Sequence, residues 1–319
     1  MEKILIIGAG GQIGVELTER LREIHGVNAV IPTDLKDQPL LSTQEGPFYI
    51  LDVMDTAAVE EIIKKEAITQ VYLLAAILSA TGEKNPMWAW DINMNSLLSI
   101  LELVKKYKVG KLYWPSSIAA FGPTTPSEQT PQHTILEPTT VYGISKYTGE
   151  LWCQYYKDKY GLDIRSLRYP GLISWKAAPG GGTTDYAIEI YWEALKNKKY
   201  TSFLSQDTSL PMMYMEDAIR ATIELMEAPK DQLKTKMAYN LSSMSFTPKD
   251  IANSIKKHIP EFEIDYAPDF RQEIADSWPG SIDDTEARAE WNWKHEYDLD
   301  KMTETMLHHI KIQLEKAEA

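Results

Sequence analysis

The chain has 319 residues, with 33 Lys and Arg against 46 Asp and Glu, a net charge of −13 and a single cysteine. One cysteine excludes an intrachain disulfide framework and a cysteine-rich zinc module, and the acidic balance argues against nucleic acid or an anionic membrane as a partner held by bulk charge. A hydrophobic fraction of 44% and a charged fraction of 25% are those of a folded globular chain. Met1-Glu2-Lys3 runs straight into Ile4–Ile7, too short for a signal-peptide core. The longest apolar stretch elsewhere, Val71 to Leu78, is far below a membrane span, so a cytoplasmic protein is expected.

In chain order, short β-branched runs alternate with longer helical patterns. Strands are expected at Ile4–Ile7, Val27–Pro32, Phe48–Leu51, Val71–Ala75, Lys111–Trp114 and Asp163–Arg168. Helices are expected at Ile13–Ile24, Thr56–Lys65, Pro86–Tyr107, Val141–Tyr160 and near Asp185–Lys196. Strands apolar on both faces and separated by helices imply right-handed crossovers. The expected fold class is α/β: a Rossmann-type doubly wound parallel sheet with a smaller C-terminal α/β substrate domain. Residues 1–171 form the nucleotide-binding part, rejoined by about 212–243. Residues 172–211 and 244–319 form the part that binds substrate and acts as a lid.

The first strand leads into Gly8-Ala9-Gly10-Gly11-Gln12-Ile13-Gly14. Gly8 allows a sharp turn, Gly11 leaves room for a pyrophosphate, and Gly14 permits close helix–strand contact. The helix that opens there points unpaired N–H groups and a positive dipole end at the phosphates. Asp34 follows twenty residues after Gly14. A carboxylate there accepts from ribose hydroxyls and repels a 2′-phosphate, which favours NAD over NADP. Asp52 and Val53 lie at the level of an adenine, and Leu74-Ala75-Ala76 leaves space for the cofactor.

Tyr142 and Lys146 stand four residues apart, on one helix face. A free tyrosine has a pKa near ~10, and an adjacent ammonium is expected to lower it and make Tyr142 a usable base. Ser116 and Ser117 end the fifth strand, where either hydroxyl can donate to a substrate oxygen. A secondary alcohol would lose its proton to Tyr142 and its hydride to a nicotinamide.

Together Gly8, Gly11 and Gly14, Asp34, Asp52, Asn93, Ser117 and the Tyr142–Lys146 pair resemble the short-chain dehydrogenase/reductase superfamily in its extended, epimerase-like branch. The resemblance favours Ser117 over Ser116 as the catalytic hydroxyl. It implies a cofactor site that also takes in Gln12, Ile13, Val53, Leu74, Ala75, Ala76, Asn93, Tyr169 and Ile173. Leu78–Glu83, Pro115–Pro123, Arg168–Gly171, Ala178–Tyr186, Leu210–Met215 and Ala275–Pro279 are further similar to the short-chain-type L-threonine 3-dehydrogenases. That implies NAD-dependent oxidation of L-threonine at its side-chain hydroxyl to 2-amino-3-oxobutanoate. Ser79, Thr183 and Thr184 would join Ser117 and Tyr142 as substrate contacts.

Asp185 either faces the substrate ammonium or caps a helix. Gly180-Gly181-Gly182 suggests a closing loop, and Trp278 either covers the site or packs between domains. Extended members of the superfamily pair two helices across a two-fold axis, and apolar residues on Asn93–Tyr107 and Val141–Tyr160 imply the same four-helix homodimer here. The alternative is a nucleotide-sugar epimerase or dehydratase of the same branch. Such an enzyme needs cations for a diphosphate, whereas Arg220, Arg271 and Arg288 each have acids nearby. No metal is expected, since His308-His309 has no partner at helical spacing. Cys153 reads as a small core residue.

Overall fold

Four apolar residues, Ile4–Ile7, make β1, whose side chains leave on alternate faces: Ile4 and Ile6 enter one apolar core, Leu5 and Ile7 another. This computed structural model describes residues 2–38, 41, 44–176 and 182–318. The further strands are β2 (Val30–Asp34), β3 (Tyr49–Ile50), β4 (Gln70–Leu73), β5 (Lys111–Tyr113), β6 (Ser116–Ser117), β7 (Ile164–Arg165) and β8 (Leu167–Tyr169). They continue with β9 (Gly171–Ile173), β10 (Lys199–Ser202), β11 (Leu210–Tyr214), β12 (Tyr239–Asn240), β13 (Met244–Phe246) and β14 (Glu263–Tyr266). The helices are α1 (Gln12–His25), α2 (Thr56–Lys65), α3 (Ser79–Gly82), α4 (Pro86–Trp90), α5 (Ser96–Tyr107) and α6 (Val141–Tyr160). After them come α7 (Tyr186–Asn197), α8 (Met215–Glu227), α9 (Pro248–Lys256), α10 (Arg271–Asp276), α11 (Thr285–Trp291) and α12 (Leu299–Glu318).

The main sheet has the order β3-β2-β1-β4-β5-β7 and is parallel throughout. Leu17 and Leu21 of α1 and Ala218 and Ile219 of α8 close one face. Val59 and Ile62 of α2, Leu97 and Ile100 of α5, and Cys153 and Tyr156 of α6 close the other. This is the doubly wound α/β arrangement, and it places the loops after β1, β4 and β5 at one sheet edge, where ligands bind. The strands β6, β8 and β12 form a second parallel group directly after β5 and β7. Beside these lie the sheets β9-β11-β13 and β10-β14. Their core joins Ile173, Tyr186, Met212 and Tyr214 to Ile251 of α9 and Met306 of α12.

Three expected elements differ. Val27–Ala29 is turn, and the strand begins at Val30. The strand expected over Asp163–Arg168 breaks at Ser166, whose carbonyl accepts from Tyr239 N and shifts pairing from β5 to β12. The helix expected over Pro86–Tyr107 is interrupted by one π-helical turn, Asp91–Asn95, whose widened winding re-aims a side chain.

The expected apolar helix face also divides. Leu97, Ile100 and Leu101 are fully buried within the chain, whereas Leu151, Trp152 and Tyr155 of α6 are exposed, together with Met87 and Trp88 of α4. No helix among the described residues is long and apolar enough to cross a membrane.

Candidate active site

A cavity of about 520 Å³ opens where the loops after β1, β4, β5 and β8 meet the start of α7. Its first wall is the glycine loop. Gly8 has φ +88°, and a Cβ there would stand 2.6 Å from the Ala75 backbone nitrogen; a Cβ on Gly14 would stand 2.6 Å from the Ala9 Cα. These two positions therefore hold β1, β4 and α1 in contact that no side chain permits. A Cβ on Gly11, by contrast, would meet only the Gly8 carbonyl oxygen, at an ordinary 3.6 Å, at the start of α1, where a pyrophosphate can approach backbone N–H groups. The residues present thus fit a dinucleotide. Gln12, Ile13, Leu74 and Ala76 also line this wall.

Asp34 ends β2 behind the loop. Its carboxylate accepts from Gly10 N at 2.8 Å and from Gln38 Nε2 at 3.3 Å. Asp34 lies outside the cavity wall, as do Asp52, Val53, Ala75, Asn93 and Ile173. Asp52 is exposed and accepts from Met54 N at 2.9 Å. Val53 and Ile173 are core residues. Ala75 is the backbone floor under Gly8. Asn93 sits in the π turn behind the wall. It accepts from Ile77 N at 2.7 Å and donates to Ile77 O at 3.0 Å and to Ser145 Oγ at 3.2 Å. Asn93 therefore ties the exit of β4 to the helix carrying Tyr142, and its action on any ligand is indirect.

The second wall carries the chemistry. Thr140 caps α6 by accepting from Gly143 N at 3.0 Å, which presents Tyr142 and Lys146 to the cavity beside Ser117. Lys146 is buried, its Nζ donating to Pro115 O at 2.6 Å and lying 5.4 Å from the centre of the Tyr142 ring. Burial pulls the Lys146 ammonium down to about 7, and neighbouring Glu150 opposes this. Burial likewise pushes the Tyr142 phenol up to about 12, with the Ser117 hydroxyl working against it. This runs against the sequence-based expectation of a lowered Tyr142 pKa: burial sets the direction, and only the Ser117 hydroxyl opposes it.

Ser116 and Ser117 separate cleanly. Ser116 Oγ donates to the buried carboxylate of Glu150 at 2.5 Å, and Glu150 also takes Nε and Nη2 of Arg168 at 2.9 and 2.7 Å. Ser116 thus belongs to a structural network, and Ser117 is the hydroxyl facing Tyr142. Arg168 is structural too, donating also to Gln132 O and Asn240 Oδ1.

The third wall is rich in hydroxyls. Ser79 Oγ lies 3.3 Å from Thr183 Oγ1, both buried, and Thr184 lines the same wall. Asp185 accepts from Gly182 N at 2.8 Å and also borders the cavity. Trp278 and Tyr169 complete the lining. The Tyr169 hydroxyl turns away, donating or accepting within a Tyr113–Thr222 cluster. Ala178 to Gly181 of the expected closing loop lie outside the described residues.

Ile77, Thr81 and Ile118 line the cavity without having been singled out. As apolar or hydroxyl residues beside strand ends, they look like core or turn in a sequence. Glu150 was legible, since it continues the four-residue spacing of Tyr142 and Lys146. Cys153 is buried, its thiol pushed up to about 12 by desolvation, and so is unreactive. Among the described residues no cluster of three or more His, Cys, Asp or Glu could hold a metal ion.

Comparison with known proteins gives concordant findings. The NAD dependent epimerase/dehydratase family matches residues 4–242. An uncharacterised epimerase/dehydratase of Staphylococcus haemolyticus is 51% identical over 316 residues, covering 98% of each chain. A solved L-threonine dehydrogenase of Cupriavidus necator, in its holo form, superposes with a TM-score of 0.93 at 54% identity, covering 97% of this chain and 99% of that one. The L-threonine dehydrogenase of Clostridium difficile gives 0.95 at 50% identity, covering 98% of both.

Proposed function

The chain belongs to the NAD dependent epimerase/dehydratase family, and from that premise we propose that it oxidises L-threonine at its side-chain hydroxyl to 2-amino-3-oxobutanoate. The observation that carries this reading is the lining of the cavity. Tyr142, Lys146 and Ser117 share the cavity with Ser79, Thr183 and Thr184, and Lys146 is the sole cationic side chain in the lining among the described residues. Small hydroxyls suit a compact zwitterion. A nucleotide diphosphate needs arginines, and Arg220, Arg271 and Arg288 are each paired with acids instead. The similarity to solved L-threonine dehydrogenases supports the same substrate.

In this reading Gly8 to Gly14 hold the pyrophosphate and Asp34 the adenosine ribose of NAD. Bound NAD supplies the hydride acceptor. Tyr142 takes the proton from the threonine hydroxyl, while Ser117 donates to the same oxygen and fixes its position. Lys146 offers a donor to the nicotinamide ribose and, while it is charged, favours loss of the Tyr142 proton. Ser79 and Thr183 bind the amino acid end and set the alcohol carbon in line for hydride loss. The protein works as a homodimer joined through the exposed face of α6.

The deciding assay follows NADH formation with L-threonine, L-allo-threonine, L-serine and nucleotide sugars. Turnover is expected with L-threonine. A chain that turns over a nucleotide sugar and leaves L-threonine untouched is an epimerase or dehydratase instead.

A further inference from the structure

A second cavity, of about 440 Å³, lies at the opposite end of the sheet from the catalytic one. It sits between the C-terminal ends of α1 and α8 and the first residues of β4 and β5. On β4, Val71 and Leu73 point into the core beneath α2 and α5, whereas Tyr72 packs beneath α1 and α8. Strand alternation therefore turns Gln70 to the same side as Tyr72, and both line the cavity.

These two residues carry the argument. Gln70 is 94% buried and Tyr72 99% buried, by their residual exposures of 6% and 1%. Among the described residues no hydrogen bond joins the Gln70 amide or the Tyr72 hydroxyl to another group, and neither is among the polar atoms sealed from solvent, so both open onto the cavity. The charged groups nearby are mostly committed. Lys111 Nζ donates to Met226 O at 2.7 Å, capping α8, and His25 stands 3.8 Å from Glu2. Glu2 and Glu227 border the cavity, and their charges bear on the Tyr72 phenol. The helix ends add partial negative charge. Leu21 and Ile223 supply an apolar wall.

We propose that this cavity binds a small organic ammonium ion bearing an oxygen acceptor, an amino alcohol or amino ketone. The ammonium faces Glu2 and Glu227, and the oxygen accepts from Gln70 Nε2 and the Tyr72 hydroxyl. A metal cation is the poorer fit, since no triad of ligating side chains exists among the described residues. The proposal does not depend on which substrate the catalytic cavity takes.

The test titrates 2-aminoethanol into the full-length protein at neutral pH by calorimetry, with ligand-observed NMR as a second readout. Saturable binding is expected. Gln70→Leu and Tyr72→Phe should each weaken it about tenfold, the equivalent of one lost hydrogen bond in a buried site. Both replacements suit an apolar interior, and circular dichroism checks that each variant is folded. Tyr142→Phe serves as the control for binding in the catalytic cavity and should leave the affinity unchanged. Absence of saturable binding overturns the proposal and leaves a cavity that holds water. Binding lost in Tyr142→Phe but kept in Gln70→Leu also overturns it, because the amine then sits in the catalytic site.

Discussion

Arg168 grips Glu150 through two nitrogens, at 2.9 and 2.7 Å, with both side chains essentially out of contact with solvent. The pair joins α6, which carries Tyr142 and Lys146, to β8, which carries Tyr169, and through Ser116 it pins β6, which also holds Ser117. Removing one partner strands a buried charge, at a cost of about 3–5 kcal/mol. Arg168→Met and Glu150→Gln should each lower the urea midpoint sharply. The double variant Glu150→Gln/Arg168→Met should recover part of that loss. Equal, additive losses would show that the two residues are not coupled.

The base assignment is tested at Tyr142. Tyr142→Phe should cut NADH formation by about 10²–10⁴-fold, the usual worth of a general base, while NAD affinity stays within about twofold because a ring remains in place. Full retained turnover would remove Tyr142 from the reaction.

The pH profile follows from the two shifts. A phenol raised to about 12 is protonated at neutral pH, so the active phenolate fraction grows as pH rises. Lys146, lowered to about 7, is charged below that pH and loses its charge above it. Activity per substrate encounter should therefore climb from pH 6 toward alkaline pH. Lys146→Met removes a charge that is present only below about pH 7, so it should depress activity most in that range and leave the alkaline limb in place. A profile of kcat/KM that is flat over pH 6–9, or a Lys146→Met profile that falls only above pH 8, contradicts this account.

Cofactor choice is assigned to Asp34, the residue that accepts from Gly10 at the loop. Asp34→Ala should raise KM for NAD by about tenfold or more, in line with loss of a charge-assisted hydrogen bond, and raise that for NADP far less. Steady-state kinetics with both dinucleotides read this directly, and an unchanged preference would clear Asp34 of the role.

Assembly is the last point. Leu151, Trp152 and Tyr155 are exposed together on α6, and clustered exposed apolar residues mark interaction surfaces. Trp152→Glu should convert a dimer to a monomer, read as a halved mass by light scattering. A wild-type chain that is already monomeric would sink the proposed interface.

Much of this was legible in the sequence because it depends on local rules. Short continuous apolar runs specify buried strands, glycine spacing specifies a nucleotide turn, and a four-residue interval places Tyr142 and Lys146 on one face. The tertiary structure alone decided what depends on contacts between distant segments. It committed Ser116 to Glu150 and left Ser117 to face Tyr142, although the two serines are adjacent and chemically identical. It withdrew Asn93 behind the wall through a π turn that no pattern announces. It also reversed the expected shift of Tyr142, because desolvation is set by everything packed around a group and sequence spacing carries only the one neighbouring charge.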